Sequence, residues 1–432
     1  MTSLGAVPTG VAVATVEIPS GTPMAGFAGR LDVSTGTHDP TTVRALVWGR
    51  IGLVSVDVCA LHEDTCRRIE TESGLDAVVV SAVHTHSGPS VGCGRVGGHD
   101  EEVHESIVQA AVEALGSAYA SQAPCTVWST RVYGLGVARD RRHLDQTIDP
   151  PLSGLCFVGP SGNRVAVLAS YPCHPVVLDA TNTLISADYV HPLRITVEAG
   201  LGSPCVFLTG AAGDINTGHT ASASFSPQNC LDGDCDKEVG AKLLQSERTF
   251  QHAAKLGERL GRALVDAKWQ ASSAAQSVRF LSAPIQLEYA DLTADTVAAE
   301  RQLWVSQLPT ADAGLHRVLQ TWVDWAEAWS PQNTYRPWKG RVSRIDLGGA
   351  ASLLCLPGEP FLAAAEELTR DDPFITVAGY CDGVPGYLPA WGDYPEGGYE
   401  VTDACRYYNM PAPFARGSLE LVMGRARALM SR

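Results

Sequence analysis

Two histidines one residue apart, His84 and His86, close the segment VVVSAVHTH directly after an apolar, β-branched run. Alternation along an extended strand sends both imidazoles to one face, an arrangement suited to holding a metal ion or moving a proton. Three further runs end in a similar way. Residues 164–171 (RVAVLASY) lead into Pro172-Cys173-His174-Pro175, residues 203–209 (SPCVFLT) into Gly210-Ala211-Ala212-Gly213-Asp214, and residues 351–356 (ASLLCL) into Pro357-Gly358-Glu359-Pro360. Loops at the carboxyl ends of strands converge on one edge of an α/β sheet, so His84, His174, Asp214 and Glu359 are expected to meet there. Each alone fits a turn or cap residue. Four in the same context point to an active site.

Two other motifs compete and fail on context. Gly88-Pro89-Ser90-Val91-Gly92 matches the G-x-S-x-G pattern, but a nucleophile elbow needs a helix at the serine, and the next helical pattern begins only near residue 101. Gly92, Gly94 and Gly97 match G-x-G-x-x-G, yet those glycines should follow a strand at once, and HTHSGPS intervenes. No HExxH or Walker sequence is present.

The elements that must position these residues follow from periodicity. Residues 43–58 read as two strands about Gly49-Arg50, and 77–83 as a strand covered on both faces. Residues 101–120 carry Val103, Ile107, Val108, Ala111, Val112 and Leu115 at helical spacing, which is one apolar face. Further strands are expected at 164–171, 204–209, 277–288, 351–356 and 374–380, and helices at 247–270, 293–328, 360–369 and 416–430. The mixture predicts an α/β (or α+β) fold, a mixed sheet packed with helices, its site at strand carboxyl ends. Residues 217–247 are polar and turn-rich and read as an insertion loop or lid. No linker divides the chain, so residues 1–432 read as one catalytic domain.

The 432 residues are 45% hydrophobic and 18% charged, an ordinary globular balance. A net charge of −15, from 47 acidic and 32 basic residues, disfavours nucleic acid as a partner, because phosphate binding needs concentrated Lys and Arg. The N-terminus does not read as a secretory signal, and no apolar run reaches the roughly 18 residues of a membrane span. Most of the 12 cysteines sit in apolar runs, where buried free thiols are common. Cys230 and Cys235, in NCLDGDC, are loop-like and read as unpaired thiols, with pairing or metal binding as the alternatives. A cytoplasmic location is the resulting expectation, and homo-oligomerisation is left open.

Taken in order, HTHSGP at 84–89, CHP at 173–175 with NTLISADY at 182–189, AAGDIN at 211–216, LPGEPF at 356–361 and GYLPAWGDYPEGGYE at 386–400 resemble the catalytic, N-terminal domain of the neutral/alkaline non-lysosomal ceramidases. The resemblance spans nearly the whole chain, without the C-terminal immunoglobulin-like domain of that family. It implies a single zinc ion held by His84, His174, Glu359 and Tyr387. It also implies a second tyrosine, Tyr399, with His86 and Arg141 (in ARDRRH) in the catalytic set. Two imidazoles and a carboxylate leave zinc positive with an open position, where water is activated and an amide carbonyl polarised. Tyr399 and His86 would then donate hydrogen bonds or a proton to the leaving amine. Asp188 fits either a carboxylate orienting a ligand histidine or a turn residue, and Asp214 lies in the same outer shell. Asn216 stands where the family has a serine; an amide can donate to an oxyanion but cannot act as a nucleophile. The implied activity is zinc-dependent hydrolysis of an N-acyl amine, the substrate being a lipid-like amide or a small soluble amide or lactam. Acyl transfer or cyclisation at the same zinc, or a non-catalytic binding role, are the alternatives.

Overall fold

Strands apolar on both faces can be buried only between two layers, and that requirement organises the molecule. A computed structural model of the chain describes residues 6–219, 248–272 and 277–432. Strands Cys205–Thr209, Arg164–Tyr171, Leu152–Val158, Ala123–Val132, Val7–Val16, Thr41–Trp48, Ile51–Val56 and Ala77–Ala82 lie side by side in that order, and Gln270–Ala271 adds to the 123–132 strand. The two outermost pairs, at either end of this order, are parallel and the pairs between them antiparallel. A second sheet runs Val278–Leu287, Trp338–Leu347, Ser352–Cys355, Ile375–Ala378, its last pair parallel.

The strand Thr41–Trp48 shows how the layers are divided. Val43, Ala45 and Val47 join the core beneath the helices, while Leu46 and Trp48 join a second core shared with Ile345, Leu347 and Leu353 of the smaller sheet. Helix Glu101–Ala120 packs on the first face, and helix Ser418–Met430 covers the far side of the smaller sheet. The order of layers is therefore helix, sheet, sheet, helix. Each fully buried Val, Leu or Ile contributes about 1.5–3 kcal/mol relative to exposure, which makes these two cores the main source of stability.

The mixed α/β architecture agrees with the expectation, while several elements differ. The helix expected over 293–328 is two, Ala294–Gln307 and Ala313–Ala328, separated by a turn at Leu308–Thr310. Pro309 lacks an N–H and so cannot continue the hydrogen-bond ladder of the first helix, and Asp312 caps the second helix by accepting from Leu315 N at 2.8 Å. Helix Glu63–Ser73 was not anticipated because EDTCRRIETES offers few apolar residues to form a stripe. The strand Trp338–Leu347 is masked in the sequence by Lys339, Arg341 and Arg344. Residues 220–247, which hold most of the expected lid with Cys230 and Cys235, lie outside the described residues.

Candidate metal centre

Four strand ends deliver the central side chains. The strand Ala77–Ala82 ends two residues before His84, Arg164–Tyr171 three before His174, Ser352–Cys355 four before Glu359, and Ile375–Ala378 two before Tyr380. His84 (φ 67) and Tyr380 (φ 58) both hold left-handed backbone, a conformation that costs of order 1–3 kcal/mol and collects at functional sites. His84 and His86 do meet, with Nε2 atoms 3.2 Å apart, but not by strand alternation: the strand has ended, and the turn at His84 brings the rings together. Gly26 backs this turn. It has φ +102, and a Cβ there would stand 2.5 Å from His86 Cγ.

His84, His174 and Glu359 are completely buried. Glu359 Oε2 lies 3.1 Å from His84 Nε2 and 2.9 Å from His174 Nε2. The Nδ1 atoms face main-chain carbonyls, that of Cys59 at 2.7 Å for His84 and that of Ile215 at 3.0 Å for His174. Nδ1–H donation to these carbonyls leaves each Nε2 as the coordinating atom, the arrangement typical of metal-bound histidine. Donors about 2.0–2.1 Å from one tetrahedral zinc lie about 3.3–3.4 Å apart, so the observed spacing suits a single small dication. The charges agree. Burial alone would lower the His84 pKa, but the Glu359 carboxylate outweighs it and raises it to about 10. Burial and Arg141 push His174 down to about 4. Burial would raise Glu359, yet His84 and His174 hold it well below the usual carboxylate range. The Glu359 carboxylate thus favours positive charge between itself and the two imidazoles, the place a dication would take.

Tyr387 pairs in register with Glu359 along a short parallel bridge, and its ring lies 6.4 Å from that of His174. The Arg141 guanidinium stands 5.3 Å from the Tyr387 ring centre, held by Glu400 Oε1 at 2.7 Å and by the Gly213 carbonyl at 2.8 Å. Burial drives the Tyr387 pKa up and Arg141 opposes the rise. The Tyr399 ring is 5.8 Å from that of Tyr387. The phenols that reach Glu359 are two others. Tyr408 donates to Oε1, and Tyr380 lies 3.4 Å from Oε2. Neither is anticipated in the sequence. Tyr380 follows a strand and the strand-end rule could have found it, whereas Tyr408, in RYYNM, carries no such signal.

Three outer residues take mainly local roles. Asp188 accepts from Leu178 N at 2.9 Å and Tyr189 N at 2.7 Å. It therefore shapes the turn after His174, and the main-chain carbonyls do the orienting of the histidines. Asp214 accepts from Leu362 N at 2.8 Å, tying its loop to the helix that follows Glu359, and burial raises its pKa to about 7. Asn216 spends its amide on the turn to His219, accepting from Gly218 N and His219 N and donating to the His219 carbonyl at 2.7 Å. Among the described residues, one amide hydrogen of Asn216 has no acceptor. His219 itself, not anticipated, is buried with no hydrogen-bond partner for Nε2 among the described residues.

Compared with known proteins, the chain is 24% identical over 253 residues to neutral ceramidase B of Dictyostelium discoideum, an alignment covering 49% of this chain and 34% of that protein. It thus spans about a third of that relative's length. No family model matches. The crystal structure of neutral ceramidase from Pseudomonas aeruginosa superposes over 100% of this chain and 75% of its own, with a TM-score of 0.68 at 16% identity. The chain has the neutral ceramidase fold. A ceramidase structure complexed with C2 agrees, with a TM-score of 0.69 at 17% identity, over 100% of this chain and 76% of that one. The neutral ceramidase resemblance read from the ordered motifs, and the mixed α/β class, both stand. Among the described residues no helix is long and apolar enough to cross a membrane.

Proposed function

We propose that this chain hydrolyses the amide bond of an N-acyl amine at one zinc ion held by His84, His174, Glu359 and Tyr387. The observation that carries the reading is the convergence of His84, His174 and Glu359, whose ligand atoms lie within 4.8 Å of one another in a buried pocket. The neutral ceramidase fold supports amide hydrolysis as the class of reaction. Bound zinc would supply a Lewis acid that polarises the carbonyl and lowers the pKa of water. The remaining work belongs to the chain. Arg141, fixed by Glu400 and Gly213, sets a positive charge beside Tyr387, where negative charge develops on the carbonyl oxygen. Burial, then His84 and His174, keep His86 neutral, so its imidazole is free to accept and return a proton. Tyr399 adds a phenol beside Tyr387, and Asn216 offers its remaining amide hydrogen.

We propose a small soluble amide or lactam, rather than a long-chain lipid, as the substrate. A cavity of about 470 Å³, lined by Met24, Phe27, Leu31 and Trp325 together with Arg30 and Asp324, lies beside the centre, and Phe27 on its wall packs edge-on to His86 at 4.9 Å. Its size falls within the range of small-molecule sites. The ten described cysteines are free thiols, which supports a reducing, cytoplasmic setting. The test is turnover of a panel running from short N-acyl amino acids and lactams to long-chain ceramide. Release of free amine from the compact members is expected. No turnover across the panel by zinc-loaded protein would overturn the assignment, and turnover confined to ceramide would overturn the substrate class.

A further inference from the structure

Between the paired histidines and helix Glu101–Ala120 the chain makes a glycine-rich loop whose motifs the proposed chemistry does not use. Cys93, His99 and His104 are spaced C-x5-H-x4-H along it, and one ligand atom from each lies within 4.8 Å of the others. The His99 and His104 rings stand 4.9 Å apart, edge to face. His104 is only 7% exposed. Its Nε2 lies 3.0 Å from the Thr65 hydroxyl, while its Nδ1 is buried with no hydrogen-bond partner among the described residues. Leaving a buried ring nitrogen without a partner is unfavourable, and a coordinated cation removes that cost. Cys93 holds left-handed backbone at φ 54, which a non-glycine residue adopts only when its surroundings enforce it.

We propose that Cys93, His99 and His104, with the Glu101 carboxylate, form a second metal site of the thiolate–imidazole class, suited to zinc. Glu101 Oε2 lies 3.0 Å from His99 Nε2, and Glu101 also groups with His104 within 4.8 Å. It is the natural fourth donor, because Glu105 is committed to Arg68. One sulfur, two imidazoles and a carboxylate make a zinc donor set, and uptake of the ion releases the Cys93 thiol proton to solvent. The site fastens the loop to the start of the helix. That loop bears on the first centre, since Val96 O accepts from Gly26 N at 2.9 Å and from Tyr407 Oη at 2.7 Å, and Gly26 backs His86.

Cobalt(II) distinguishes the two centres, because the proposed catalytic set holds only nitrogen and oxygen donors. Cobalt-loaded protein is expected to show a thiolate-to-cobalt charge-transfer band that disappears in Cys93→Ser and persists in Glu359→Ala. Zinc content is expected to fall from about two equivalents per chain to about one in Cys93→Ser. Cys93 is exposed, so this variant leaves both cores untouched. Absence of the band from the wild-type protein, or its persistence in Cys93→Ser, would overturn the second site without touching the first. Zinc confined to the Cys93 site, with none lost in Glu359→Ala, would count against the catalytic reading and leave this one standing.

Discussion

At the scale of single residues, the proposed chemistry divides the centre into groups that would hold an ion and groups that would handle protons. It places His86 in the second kind. His86 touches His84 but not Glu359 in the contacts described, and its Nδ1 is buried without a partner among the described residues. His86→Ala is expected to lower kcat by about 10²–10⁴, the usual worth of a general acid or base, while zinc content stays unchanged. Steady-state kinetics with metal analysis of the same preparation checks this, and parallel loss of zinc would move His86 into the ligand set. His84, His174 and Glu359 are legible in the sequence because each follows an apolar run closely enough for its strand to predict its place. Tyr408 is not, since it reaches Glu359 from the end of a four-residue helix, Ala404–Tyr407, that no periodicity reveals. Asp188 is legible as a carboxylate near His174, but which atoms it would meet is settled by the fold, and those are main-chain amides.

At the scale of elements, polar pairs sunk between layers hold the strand ends in place. Asp57, just past the strand Ile51–Val56, receives both Arg194 Nη atoms at 2.7 and 2.8 Å and the Thr42 N–H and hydroxyl at 2.9 and 2.6 Å. It joins the larger sheet to helix Val190–Leu201. Burial would raise its pKa, but Arg194 and Thr42 outweigh burial and hold it below its ordinary 3.8. A lowered folded-state value means that the pair's contribution is present in full above the unfolded pKa and is lost as pH falls through the folded one. Asp57→Ala leaves Arg194 buried and unpaired, so a loss of about 3–5 kcal/mol is expected, measured by denaturant unfolding at neutral pH. The acid limb of the wild-type stability curve, below about pH 4, is expected to flatten in Asp57→Asn. An unchanged limb would show that other carboxylates govern it. Strands such as Arg164–Tyr171 are legible because burial on both faces writes them as continuous apolar runs. Trp338–Leu347 and Glu63–Ser73 are not, because their charged residues pair with one another and with neighbouring elements only once folded, as Arg341 does with Asp382 and Glu70.

At the scale of the whole molecule, residues separated by up to 275 positions in the chain, from His84 to Glu359, are brought to one point by two stacked sheets. Neither sheet makes the centre alone: His84 and His174 leave the larger, Glu359 and Tyr380 the smaller. We therefore take both sheets as parts of one catalytic unit. The neutral ceramidase fold accounts for this arrangement, and the sequence motifs mark its corners. The most direct test is an anomalous-difference map at the zinc edge from crystals of zinc-loaded protein. A peak is expected within bonding distance of His84 Nε2, His174 Nε2 and a Glu359 oxygen, about 2.0–2.2 Å from each. Zinc-loaded crystals with no anomalous density among these three side chains would contradict the account.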